Sequence, residues 1–91
     1  MKLTDFIKNI EHVDRDTIIF QEYQDDANSD IILAYAEDDS VIREENGRKY
    51  FYLIEVFLAK EFVEDWKASL DYTPTIEETA KRLYEYGCND A

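Results

Sequence analysis

Glycine and proline are scarce in this 91-residue chain, two and one respectively, and cysteine and histidine occur once each. So few Gly and Pro, beside 45% hydrophobic residues, exclude a disordered or low-complexity composition. A lone thiol cannot close an intrachain disulfide, and one Cys with one His falls short of the usual structural zinc sites, so neither a metal nor any other cofactor is expected. No apolar run approaches the roughly 18 residues of a spanning helix. Charges interrupt Met1-Lys2-Leu3-Thr4-Asp5-Phe6-Ile7-Lys8, which therefore lacks the continuous apolar stretch of a secretory signal. With the free thiol, this points to a cytoplasmic protein. Basic residues are also in the minority, 10 Lys and Arg against 22 Asp and Glu, for a net charge of −12. Such a chain repels phosphate backbones and anionic membranes, so a basic protein is the expected partner, with no direct nucleic-acid or membrane binding.

What is present reads as alternating helix and strand signals. Leu3, Phe6, Ile7, Ile10 and Val13 recur at helical spacing, which predicts a short first helix capped by Thr4. Two runs rich in β-branched and aromatic residues, Thr17 to Tyr23 and Ile31 to Glu37, flank the turn formers DDANSD and predict a hairpin. Asn46-Gly47 is a type I′ turn signal and predicts a second hairpin, with Tyr50 to Glu55 as its firm strand. Ala59, Phe62, Val63, Trp66 and Leu70 then return to helical period, predicting a helix from about Phe57 to Leu70. Asp71-Tyr72-Thr73-Pro74 breaks it. Thr75 with Glu78 forms a capping box for a last helix ending near Gly87, with Ile76, Ala80, Leu83 and Tyr84 as its buried stripe. Glu77 with Lys81, and Glu78 with Arg82, are spaced for ion pairs one turn apart.

Short hairpin loops in place of helical crossovers imply an α+β fold: a small antiparallel sheet of three to four strands with an N-terminal helix and two C-terminal helices packed on it. No linker or repeat divides residues 1–91, so one domain is expected. Phe6, Ile7, Ile10, Leu53, Phe62, Val63, Trp66, Ile76 and Leu83 are its expected core.

The charge is unevenly placed. Residues 14–45 hold eleven acids and two bases, a charge of −9, while the rest of the chain is an ordinary mixed surface. Acidic pairs Asp25-Asp26, Asp38-Asp39 and Glu44-Glu45 fall in expected loops or strand ends, where a rigid sheet can present them. Glu22, Asp30 and Glu37 extend this surface, and Tyr23 and Tyr35 beside the carboxylates supply the aromatic area that anchors interfaces. These eleven residues are the candidate partner-binding set. The plainer reading is that acidity serves solubility and that most Tyr side chains pack on the helices.

Catalytic constellations are weak. Asp26, Asn28, Asp30 and Glu37 occupy positions 1, 3, 5 and 12 of an EF-hand loop pattern, but Ile31 stands where the turn wants Gly, and Ile32, Leu33 and Ala34 read as strand. His12 has no nucleophile to serve, since Ser29, Ser40 and Ser69 lack a nucleophile-elbow context and Cys88 lies among acids that disfavour its thiolate. With 22 acids, any carboxylate pair is uninformative. No enzyme activity and no catalytic residue are expected.

Tyr50, Phe51, Glu55, Val56 and Phe57, then Glu64, Asp65 and Trp66, then Glu78, Arg82, Leu83 and Asn89-Asp90-Ala91 form a pattern that resembles a family of small, acidic, uncharacterised bacterial proteins. The resemblance covers about half the chain and implies a compact fold without a catalytic motif. In size and charge the chain is also similar to bacterial immunity proteins that neutralise basic toxin domains. The expected function is therefore an acidic inhibitor that occludes a cationic protein surface, most directly a nuclease-type toxin domain. The alternative is a structural or regulatory homodimeric subunit whose acidity serves solubility alone. Because acids outnumber bases 22 to 10, moderate salt is expected to raise the thermal midpoint of the free protein by screening self-repulsion. A midpoint that falls steadily with added salt in a melting series contradicts this.

Overall fold

A computed structural model describes residues 1–23, 25–36 and 41–90, residue 90 by its backbone alone. The elements are α1 (Leu3–Lys8), a 3₁₀ turn (Ile10–His12), β1 (Thr17–Gln21), β2 (Ile31–Tyr35), β3 (Ile42–Glu45), β4 (Arg48–Glu55), α2 (Val56–Ala68) and α3 (Ile76–Asp90). All strand pairings are antiparallel, in the order β2-β1-β4-β3, giving the expected α+β class.

Local chemistry accounts for most element ends. Asn46 and Gly47 adopt φ of 52° and 77°, the doubly positive geometry that a type I′ turn between β3 and β4 requires. The Glu78 N–H donates to Thr75 Oγ1 at 3.1 Å and the Thr75 N–H to Glu78 Oε1 at 3.3 Å, so the expected capping box forms. The Glu78 carboxylate also accepts from the Tyr72 hydroxyl. Turned backward in this way, it does not pair with Arg82, whose guanidinium instead lies 5.4 Å from the Phe62 ring centroid. Neither expected pair, Glu78 with Arg82 or Glu77 with Lys81, forms among the described residues.

Three boundaries differ from expectation. Thr4 lies inside α1, and the cap is Lys2, in extended backbone, whose N–H donates to the Asp5 carboxylate at 2.9 Å. The helix stops at Lys8 because the Asn9 amide bonds back to the Asp5 carbonyl at 3.0 Å, and a 3₁₀ turn carries Ile10. At the other end, α3 continues through Gly87 to Asp90. Gly87 is not a stop signal but a point of close approach: a Cβ there would lie 2.8 Å from Leu53 Cδ1 and 3.0 Å from its Cγ.

Leu53 also marks an irregularity in the sheet. Ile19 pairs with Ile54 and Phe20 with Tyr52, leaving Leu53 without an opposite number, and such a bulge bends and twists its strand. The effect is a curled sheet. Arg43, on edge strand β3, donates to the carbonyl of Tyr35 on the opposite edge strand β2. In a flat sheet those edges lie about 14 Å apart, beyond the reach of one side chain. On its way the Arg43 guanidinium lies 5.7 Å from the Phe20 ring, which also meets Tyr52 edge-on at 6.3 Å, so Phe20 is fully buried although it sits outside the main cluster.

That cluster draws on α1 (Leu3, Phe6, Ile7), the strands (Ile19, Ile31, Leu53, Ile54), α2 (Val56, Ala59, Val63) and α3 (Ala80, Leu83). Of the expected core, Ile10, Phe62 and Ile76 flank it half-buried. Trp66 is outside it. At 100° per residue the indole is turned roughly 50° from the centre of the Val56–Ala59–Val63 stripe, a turn beyond Val63. Leu83→Ala is therefore expected to cost about 2–5 kcal/mol, and Trp66→Ala distinctly less. Gly87→Ala should lower stability by about 1–3 kcal/mol of overpacking, which outweighs its gain of about 1 kcal/mol in helix propensity. Chemical denaturation of the three variants checks the order; a stabilised Gly87→Ala would show that Leu53 gives way freely.

Candidate functional site

Register places the candidate residues at two ends of the sheet. Gln21 pairs with both Ile31 and Phe51, so the loop of residues 22–30 and the Asn46-Gly47 turn project beyond the same end. That end gathers Glu22, Tyr23, Asp25, Asp26, Asp30, Glu44 and Glu45. Tyr35 pairs with Thr17 and lies at the other. Glu37, Asp38 and Asp39 fall outside the described residues.

The acids of the first end divide into two groups. Asp30 and Glu22 are held internally: Asp30 meets the Lys2 ammonium at 3.1 Å, the α-amino group of Met1 at 4.0 Å and Arg48 at 3.5 Å, and Arg48 also reaches Glu22 at 3.7 Å. Hydrogen bonding and charge from Lys2, then the terminal amine and Arg48, hold the Asp30 carboxyl below the usual carboxylate range. Backbone pairing reinforces this node, since the Ile31 N–H donates to the Met1 carbonyl at 2.7 Å. Asp26 shapes its loop, its carboxylate accepting from the Asn28 N–H at 2.8 Å and its carbonyl from the Ser29 N–H at 3.1 Å. Asp25, Glu44 and Glu45 are the second group. They are exposed and enter no ion pair among the described residues, although Lys49 and Arg48 stand opposite the two glutamates in register. Tyr23, at the same end of the sheet, has 57% of its surface exposed.

At the far end the exposed Tyr35 hydroxyl donates to Asp14 Oδ2 at 2.5 Å, and the Asp16 N–H donates to Asp14 Oδ1 at 2.9 Å. These two bonds lower the Asp14 pKa, helped by the charge of Lys60, and the same Asp14 contact raises that of Tyr35. Asp14 therefore adds stability at neutral pH that is lost as acidification passes through its lowered folded value. Tyr35 adds stability below its ordinary value that is lost as pH rises through its raised one.

Of the EF-hand-like set, Glu37 falls outside the described residues, and the other members do not gather as ligands. Asp26 serves its own turn, Asp30 serves Lys2, and no group of three metal-binding side chains occurs among the described residues. No helix among them is long and apolar enough to cross a membrane. A site that sequence reasoning misses lies between α2 and α3, where Leu58, Glu61, Phe62, Asp65, Trp66 and Tyr86 line an open groove of about 350 Å³. Its signal is the second stripe of α2, Leu58, Phe62 and Trp66 at four-residue spacing, which merges with the core stripe when read one helix at a time. Comparison with family models, with curated proteins and with solved structures returned no match in any of the three.

In Tyr35→Phe, the Asp14 carboxyl is expected to titrate closer to the ordinary aspartate value, as followed by NMR of its side-chain carbons. An unchanged Asp14 titration would mean that the phenol does not hold it.

Proposed function

We propose that this chain is an acidic inhibitor that occludes a cationic surface of a protein partner, in the manner of an immunity protein neutralising a basic, nuclease-type toxin domain. One observation carries the reading: at the end of a rigid sheet, carboxylates with no internal ion pair among the described residues share that end with an exposed tyrosine. Exposed carboxylates steer a basic partner and pair with its Lys and Arg, and the aromatic ring supplies area for a buried anchor. The mechanism is steric cover, and it calls on no catalytic group. Glu22 and Asp30, engaged with Arg48 and Lys2, act as supports that hold the loop in position.

A homodimer through edge strand β3 is the second reading, favoured by the exposure of Val41 and Ile42. It places Glu44 and Glu45 of one copy near acids of another in a chain already carrying −12, so high salt should promote it, whereas salt should weaken a steered complex. Asp25→Asn with Asp26→Asn, or Glu44→Gln with Glu45→Gln, is expected to slow association with a basic partner protein and flatten its salt dependence. Tyr23→Ala should speed dissociation and cost about 2 kcal/mol or more. Association kinetics at several salt concentrations check this, against a basic protein encoded beside the chain or co-purifying with it. Silent loop acids, with binding abolished by Glu77 or Arg82 substitutions on the exposed side of α3, would overturn the acidic-end reading.

A further inference from the structure

The groove between α2 and α3 uses none of the residues at the sheet end. Four of its six lining side chains are half-buried and apolar or aromatic: Leu58, Phe62 and Trp66 from α2, and Tyr86 from α3. Phe62 and Tyr86 stack with centroids 4.1 Å apart and planes 13° from parallel, forming a fixed platform, and Trp66 follows one turn along from Phe62. The other two lining residues, Glu61 and Asp65, are exposed, lie one turn apart on α2 and enter no ion pair among the described residues. Like charges at that spacing disfavour the helix that carries them. A cation bound between them would offset that repulsion by attracting both.

Aromatic faces attract cations through their quadrupole, and a planar guanidinium both stacks on a ring and pairs with carboxylates in a forked geometry that an ammonium cannot match. This platform already takes one such group, since the Arg82 guanidinium lies 5.4 Å from the Phe62 centroid. No base lines this groove, although Glu61 also borders a neighbouring one that Arg15 and Lys60 line. We infer that the α2–α3 groove is a receptor for an arginine side chain of a partner protein or peptide, with Trp66 and the Phe62–Tyr86 stack contacting the guanidinium and Glu61 and Asp65 supplying the opposing charge. Arg82 already lies over the Phe62 ring and competes for that part of the platform.

Trp66 is the only tryptophan, so its indole N–H resonance reports on the groove without ambiguity. The full chain is titrated with the peptide acetyl-Gly-Arg-Gly-amide at constant ionic strength, beside the same peptide carrying uncharged citrulline. The expected result is a saturable shift for the arginine peptide, with a dissociation constant on the order of millimolar, and none for citrulline. Glu61→Gln with Asp65→Asn should weaken it about five-fold, and Arg82→Gln should strengthen it. Both variants retain every residue of the buried cluster, and circular dichroism verifies their fold. Equal responses to the two peptides, a shift that never saturates, or undiminished binding in the double variant each overturn the assignment. None of these outcomes bears on Asp25, Glu44 or Glu45, so the groove and the acidic sheet end stand or fall separately.

Discussion

The contact between Leu53 and Gly87 is the constraint on which the other arrangements rest. Leu53 is the bulged residue of β4, so the bend of the sheet and the seat of α3 meet at one side chain. Only a residue without a Cβ lets α3 come this close, and α3 in turn covers α1 and contacts α2 and β4. The curl that follows from the bulge closes Arg43 over Phe20, making a second, smaller apolar centre on strands whose other residues feed the main cluster.

The charges of this molecule divide into paired and unpaired groups among the described residues. Around Asp30 they are structural: Lys2, the terminal amine and Arg48 converge there, and Arg48 extends the linkage to Glu22, tying the start of the chain and the beginning of β4 to the first hairpin loop. Each of these pairs is solvated and contributes modestly on its own, so its value lies in fixing geometry. Asp25, Glu44 and Glu45 stand outside this network, exposed and with no ion pair among the described residues. The helical face adds a different chemistry, in which the ring surfaces of Phe62, Trp66 and Tyr86 adjoin Glu61 and Asp65.

Signals confined to a few consecutive residues are legible in the amino-acid sequence itself. Asn46-Gly47 fixes a hairpin through its own backbone preferences, and Thr75 with Glu78 starts a helix through two bonds closed within four residues. Such local signals suffice for the α+β class and the two hairpins. What escapes them depends on residues far apart in the chain. Gly87 reads as a helix stop until Leu53 is placed against it, and Glu22 and Asp30 read as free acids until Arg48 and Lys2 arrive from other elements. Trp66 reads as core by hydrophobicity alone, and only the position of the sheet shows that Val56, Ala59 and Val63 face it instead. The candidate site is legible as a charge imbalance along the chain, but its division between two sheet ends follows from strand register.

The packing of α1 on α3 joins residues 3–8 to residues 76–90, and β1 takes its place between β2 and β4 only after β4 has been made. The cover of α1 therefore depends on an element far along the chain. Such a topology has high contact order, which slows the search for the native state, and it makes the burial of α1 depend on α3, which α2 and β4 also hold. Removing residues 76–90 would therefore uncover Leu3, Phe6 and Ile7 of α1 together with the part of β4 where Leu53 meets Gly87.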